Sequence, residues 1–462
     1  MAGTFAVVLA AGLGTRMKSK THKVLHPICG KPMIQHMLDT LNTTGFDRKI
    51  VVIGKLKEQV MAALGEGYEY AVQDEQLGTA HAVMMAQPQL AGEDGTTLVC
   101  AGDTPIIRPA TIEKMLAEHR ASGAAVTVLT AIVDNPFGLG RIIRDEETGD
   151  VLRIVEEKDA TEAQRLIREI NSSVYLFDNR LLFDALSKID NNNSQGEYYL
   201  TDCLEVLRGA GHKVGAFITD DPKEIQGIND RAQLAVANGI IRERIALEHM
   251  KNGVTIVDPG NTYIDAGVVI GADTTLLPGT VLEGKTVIGE GCTVGPNAHL
   301  KDVTVGDDVK IQHSVLTEAV VEDLATVGPF AYLRPKAHIG KKGKIGDFVE
   351  IKNARIGEGS KVSHLSYIGD AEVGAGVNVG CGTITVNYDG VNKYKTIIGD
   401  GTFIGCNSNL VAPVTIGNKA YIAAGSTITD DVPDGSLAIA RERQTTKEGY
   451  TDKLDARLRQ KK

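Results

Sequence analysis

Branched aliphatic residues return at every sixth position through much of the second half of this chain, and that period admits few folds. Ile264, Ile270, Leu276, Leu282, Ile288, Val294 and Leu300 form one run; Val321, Val327, Leu333, Ile339, Ile345 and Ile351 a second; Ile398, Ile404, Leu410, Ile416, Ile422 and Ile428 a third. A period of six is neither helical nor that of a plain strand; it suits a short strand plus a tight turn. The glycine that often follows the aliphatic, as in IGADTT, IGEGCT and IGNKAY, accepts positive φ without a Cβ clash. Three hexads make a triangular coil with its aliphatics inward. Residues 264–429 predict roughly nine coils of a parallel β-helix, ~40 Å long at ~4.8 Å per coil. Such a prism is too thin to enclose a ligand, which must bind outside it or between copies. The spacing fails at TVNYDGVNKYKT (385–396), and an insertion in a solenoid maps to an external loop, often on the binding face.

The first half has a different grammar. FAVVLAA (5–11), KIVVIG (49–54), EYAVQ (69–73), TTLVCAGD (96–103) and AAVTVLTAIV (124–133) are short apolar runs of the kind a parallel sheet buries on both faces. Helical stretches at 32–43, 79–90 and 109–122 separate them, giving a doubly wound α/β pattern. RIIRDEETGDVLRIVEEKD (141–159) reads as an antiparallel hairpin beside the sheet. Residues 230–252 read as one connecting helix: Asp230 and Gln233 resemble a capping box, Leu234, Ile241, Ile245 and Met250 form an apolar stripe, and Gly253 ends it. The expected divisions are 1–229, 230–252, 253–437 and a tail, 438–462.

Composition narrows the function. Asp and Glu outnumber Lys and Arg by 59 to 49, a net charge of −10, so no broad basic footprint for nucleic acid or anionic lipid is expected. The amino-terminal apolar run lacks a basic leader, and none approaches a membrane span. Six dispersed cysteines without a CxxC argue against a zinc site or a disulfide framework and fit the cytoplasm.

Three features carry chemistry. After the first strand, Gly12-Leu13-Gly14-Thr15-Arg16-Met17 is neither a Walker A motif nor a full dinucleotide fingerprint. It is a glycine turn whose N–H groups could cradle phosphates, with Arg16 and Lys23 supplying charge; alone, it is also an ordinary strand-to-helix turn. Asp103 ends a strand at the carboxyl edge of the sheet, where open α/β folds place ligands, though a lone Asp there also caps helices. His364, in KVSHLSY, could be a plain surface histidine, or a base.

Taken together, GLGTRM with Lys23, QLGTAHAV (76–83), AGDTP (101–105), GLGRI (138–142), VEEKDAT (155–161), NNNSQGEYYLTD (191–202) and QGIND (226–230) resemble sugar-nucleotide pyrophosphorylases. The hexad region, with HLSYIGDAEVG (364–374), NVGCGTITVNYDG (378–390) and AIARERQ (438–444), is similar to one family: the bacterial bifunctional N-acetylglucosamine-1-phosphate uridylyltransferases and glucosamine-1-phosphate N-acetyltransferases. The resemblance runs from about residue 5 to 450. It implies a Rossmann-like uridylyltransferase domain followed by a left-handed β-helix, working as a homotrimer with the acetyl site between adjacent prisms. The substrates implied are glucosamine 1-phosphate, acetyl-CoA, N-acetylglucosamine 1-phosphate and UTP, with Mg²⁺ as cofactor.

By position, the resemblance gives Leu9, Ala10, Gly12, Gly14, Arg16 and Lys23 to the uridine and phosphates, and Gln73, Gly78 and Thr79 to the uracil. Gly140, Glu156 and Asn171 would hold the sugar, and Asp103 and Asn229 the metal, Asn229 also lying against the nucleotide. On the prism it makes His364 the general base, with Arg334, Lys352, Tyr367 and Asn378 on the sugar phosphate. Cys381, Asn387, Tyr388, Cys406, Ala424 and Arg441 fall to the acetyl-CoA side. Some members carry Ala and Ser where this chain has Cys381 and Cys406, so an acetyl-cysteine at Cys406 is a second mechanism. Two other functions compete: a pyrophosphorylase alone, with a regulatory or oligomerising prism, and a non-enzymatic scaffold. His364 and the NYDG loop speak against the first, and a prism flank free of His, Lys and Arg groupings would have suited the second better.

Overall fold

A computed structural model describes residues 3–460. The chain forms two compact units, Met1–Arg244 and Ile245–Lys462. In the first, a nine-stranded sheet has its main path in the order Val214–Ile218, Val126–Ile132, Glu169–Asp178, Gly95–Ala101, Gly3–Ala10, Arg48–Ile53, Glu69–Val72. The first strand alternates between two cores: Val7 packs with Val52 and Val99 on one face, Val8 with Val51 and Leu98 on the other. Burial on both faces is why these strands are continuously apolar.

Three details differ from the sequence reading. Glu169–Asp178 runs antiparallel to both neighbours, so the sheet is mixed; this strand was not expected, its apolar run being interrupted by Asn171, Ser172 and Ser173. The 79–90 stretch is two helices, Thr79–Met84 and Gln87–Leu90, with Pro88 opening the second, since proline inside one helix would remove a hydrogen bond and clash with the preceding turn. In the helix Arg231–Lys251, the Gln233 N–H donates to Asp230 Oδ1 at 2.8 Å, but its side chain accepts from the Asn229 N–H, one residue before the capping-box donor. Met250 is exposed; Ala237, Ile241 and Ala246 carry the buried stripe. The expected hairpin is present as Arg141–Arg144 against Val151–Val155.

The second unit is a left-handed β-helix of three parallel sheets with 11, 10 and 9 strands. All the period-six aliphatics are buried. The coils begin earlier than the hexads suggest, at Thr255–Ile256, giving about ten coils rather than nine. Val362, Val379, Ile404 and Ile422 stack on successive coils; the wider step between 379 and 404 carries the extra residues, which leave the wall as a loop closed by the Tyr388–Lys393 bridge. After the last strand, Leu437–Ala438, the tail forms an exposed helix, Tyr450–Arg459, and residues 461–462 lie outside the described residues. No described helix is long and apolar enough to cross a membrane.

Candidate functional site

In the first unit, most of the singled-out residues gather at the carboxyl ends of the parallel strands. The Gly102 N–H donates to the Leu9 carbonyl at 2.9 Å, and the Ile228 N–H to the Asp103 carbonyl at 3.0 Å. These bonds bring the first glycine turn, the AGD turn and the QGIND segment together. Lys23 Nζ donates to the Asp103 carboxylate and to Asn229 Oδ1, the latter at 2.7 Å. Gly14 is left-handed (φ 62°), and a Cβ there would lie 2.5 Å from that of Lys23, so the glycine turn sits on the lysine stem. Ala10 is buried, whereas Gly12 and Arg16 face solvent.

Gln73 is buried; its Nε2 lies 3.3 Å from the Gly78 carbonyl and 3.0 Å from His81 Nδ1. Gly78 has φ 117°, and a side chain there would run into the Tyr198 backbone. The Leu200 N–H donates to Thr79 Oγ1 at 3.0 Å, so the NNNSQGEYYLTD segment braces this turn. Gly140, Glu156 and Asn171 also meet: a Cβ on Gly140 would touch Asn171 Cβ and Glu156 Oε1, each at 3.4 Å. Burial raises the Glu156 pKa, and Asp159 and Asp202 raise it further. A cleft of about 380 Å³ opens here, lined among others by Glu156, Asn193, Thr201 and Asp202. Arg141, inside the GLGRI motif but not singled out, is almost wholly buried and pairs with Glu157 at 2.7 Å.

On the prism most of the singled-out residues fall into two groups. Cys381, Cys406 and Ala424 each stand two residues past a stacked core position, Val379, Ile404 and Ile422. His364 and Asp347 stand at the same offset from Val362 and Ile345, so the five share one corner. The Asn407 N–H donates to the Cys381 carbonyl at 2.7 Å and the Gly425 N–H to the Cys406 carbonyl at 2.8 Å. Arg441 reaches the top of this column, its stem beside Gly425. Asn378 lies on the same sheet, paired with Phe403.

Arg334, Lys352, Tyr367 and Asn387 lie along a second sheet of the coil, where Lys352 stands opposite Gly369 and Tyr367 opposite Glu350. Arg334 Nη1 donates to Glu350 Oε1 at 2.7 Å. Asp370, not singled out in the sequence, accepts from Asn353 Nδ2 at 2.6 Å and from Asn387 Nδ2. Burial works against the Asp370 carboxylate, yet these bonds and the Lys352 and Lys393 ammoniums leave its pKa below the ordinary value. Lys393 was also missed; Lys352 beside it holds its pKa below the usual lysine range. Two ammoniums in close approach invite an anion. Tyr388 stands apart from this group, exposed on the loop.

Among the described residues no three His, Cys, Asp or Glu side chains gather as a metal cage. Asp103 and Asn229 nevertheless converge on one cation, the Lys23 ammonium. Two hard oxygen donors fit magnesium, which seldom takes an all-protein shell and keeps positions for phosphate and water.

Comparison with known proteins agrees with this division. Residues 6–174 match the MobA-like NTP transferase domain, and 285–317 and 395–430 match the bacterial transferase hexapeptide (six repeats). The chain is 57% identical over 454 residues to a bifunctional protein GlmU of Geobacillus sp. (strain WCH70), covering 98% of this chain and 99% of that one. It is 54% identical over 447 residues to that of Exiguobacterium sp. (97% and 99%), and 51% identical over 455 residues to that of Listeria innocua (98% and 99%).

Proposed function

The chain belongs to the bifunctional GlmU family, and from that premise we propose which of its residues carry each of two transfers. It is an N-acetyltransferase and a uridylyltransferase in one polypeptide. Glucosamine 1-phosphate is acetylated at the prism, and the product is coupled to a uridine nucleotide in the amino-terminal unit. The observation that carries the division of labour is the separation of two constellations with different chemistry: a cation-and-oxygen cluster around Lys23 in one unit, a histidine–carboxylate pair on the coil wall in the other.

At the prism, His364 Nε2 takes the proton of the sugar amine as its nitrogen attacks the thioester carbonyl of acetyl-CoA. The C–S bond breaks, and the CoA thiolate leaves and is protonated. An imidazole suits this task near neutral pH, and general-base catalysis contributes about 10²–10⁴-fold. Arg334, Lys352 and Lys393 hold the phosphate; Tyr367, Asn378, Asn387 and Tyr388 position the sugar and acetyl end. The corner column of Cys381, Cys406 and Ala424 lets the CoA arm lie along the wall toward Arg441. Cys406 is two coils from His364, about 10 Å at the coil spacing, so that imidazole cannot activate its thiol.

In the amino-terminal unit, Leu9, Ala10, Gly12, Gly14 and Arg16 surround the triphosphate of UTP, and Gln73, Gly78 and Thr79 read the base. Gly140, Glu156 and Asn171 hold the acetylated sugar so that its phosphate oxygen meets the α-phosphorus in line and pyrophosphate leaves. Asp103 and Asn229 would hold Mg²⁺, which when bound offsets phosphate charge. Lys23 then turns to the phosphates.

The assembly proposed is a homotrimer working in the cytoplasm. No disulfide joins the six cysteines of the chain, as suits a reducing compartment. Beside the His364 column, Phe330, Phe348 and Leu365 form an exposed apolar ladder, each with left-handed backbone; the two phenyl rings stack at 5.4 Å. Bulky residues in that conformation cost about 1–2 kcal/mol each, and cover by a second copy would offset it. The test is acetyl-CoA-dependent thiol release with glucosamine 1-phosphate and UTP-dependent pyrophosphate release with its acetylated product. Absence of the first would leave only a pyrophosphorylase.

A further inference from the structure

Asp347 and His364 are direct partners on adjacent parallel strands, Lys344–Asp347 and Lys361–His364. The Leu365 N–H donates to the Asp347 carbonyl at 3.0 Å, and Ser366 Oγ donates to the His364 carbonyl at 2.8 Å, so the backbones on both sides of the pair are fixed. Across this rung, His364 Nδ1 lies 2.7 Å from Asp347 Oδ1. The bond from His364 holds the Asp347 carboxyl below the usual carboxylate range.

A carboxylate can only accept, so the proton of a neutral His364 must sit on Nδ1. The Nε2 lone pair is then free, and among the described residues it meets no hydrogen-bond partner. A neutral imidazole without this neighbour would divide between two tautomers and rotate about its side-chain bonds. We infer that Asp347 is the positioning residue of the acetyl-transfer site: it fixes the Nδ1–H tautomer and ring orientation of His364, so that Nε2 faces the incoming amine, and it stabilises the imidazolium that forms. This rests on His364 being the base. Among the described residues, the register puts one side chain of the preceding coil opposite His364, and that side chain is Asp347.

The experiment is a double-mutant cycle on the full chain, with kcat and KM for acetyl transfer measured separately. Asp347→Ala and Asp347→Asn are expected to lower kcat by about 10²-fold, within the range ascribed to a general base. Both KM values should stay within about threefold, and uridylyl transfer should not change. His364→Ala should lose at least as much, and adding Asp347→Ala to it should cost nothing further, because Asp347 acts only through His364. If His364→Ala is inactive but Asp347→Asn keeps the parent kcat, or if the double variant falls well below His364→Ala, the inference is overturned while the base assignment stands. If His364→Ala keeps full activity, the base assignment itself fails.

Discussion

Lys23 Nζ donates to Asn229 Oδ1 across 2.7 Å, joining residues 206 positions apart, and the same ammonium pairs with Asp103. It therefore stands between the two oxygens proposed for magnesium. An ammonium and a divalent ion on the same oxygens repel, so Lys23 would have to turn away for a metal to be held there. Lys23→Met is expected to bind manganese about tenfold more tightly than the parent chain without nucleotide, a shift of ~1.4 kcal/mol. Its kcat/KM for UTP should fall by about 10²-fold, as for loss of a fixed charge at a phosphate. Titration followed by paramagnetic resonance reads the first, pyrophosphate release the second.

Gly78 is held at φ 117° against the Tyr198 backbone. Alanine there meets both a disfavoured backbone region and a clash, together costing about 1–3 kcal/mol. The expected outcome for Gly78→Ala is a raised KM for UTP and a lowered melting transition of the amino-terminal unit by calorimetry, with acetyl transfer intact.

The ladder of Phe330, Phe348 and Leu365 predicts how the chain assembles. Replacing Phe330 and Phe348 together by Ser should relieve exposed apolar surface and remove the contact that covers it. Sedimentation velocity should show a species smaller than the parent, with acetyl transfer lost and uridylyl transfer kept. A trimer of undiminished stability and activity would place the subunit contact elsewhere.

Asp202 is raised to about 6, mainly by burial and then by Glu205, Asp190 and Asp159. Its folded pKa exceeds its unfolded one, so its protonated form favours the fold. That contribution is complete below about pH 4 and is lost as pH rises through about 6. Asp202→Asn should therefore melt at a higher temperature than the parent at pH 8 and at nearly the same temperature at pH 4. Thermal denaturation across that range checks the sign.

The hexad period was legible because each coil repeats one requirement: an inward aliphatic between two turns. The break at 385–396 was legible for the same reason, as the place where that requirement lapses. The strand Glu169–Asp178 was not, since Asn171, Ser172 and Ser173 interrupt its apolar run where the pairing with Val126–Ile132 shifts register. At the sites, the sequence singled out residues carrying distinctive motifs, such as Lys23, Asp103 and His364. It missed Asp347, Asp370 and Lys393, whose meaning comes from stacking: Asp347 precedes His364 by one coil, and Lys393 returns to Lys352 only when the loop folds. Counting one coil back from His364 would have found Asp347.

Two single substitutions, each assayed for both reactions on the full-length chain, test the central claim most directly. Asp103→Asn should abolish pyrophosphate release from UTP while thiol release from acetyl-CoA continues at the parent rate, and His364→Ala should do the reverse. Loss of both reactions from either substitution, or survival of thiol release in His364→Ala, would contradict two separate sites carried by these residues.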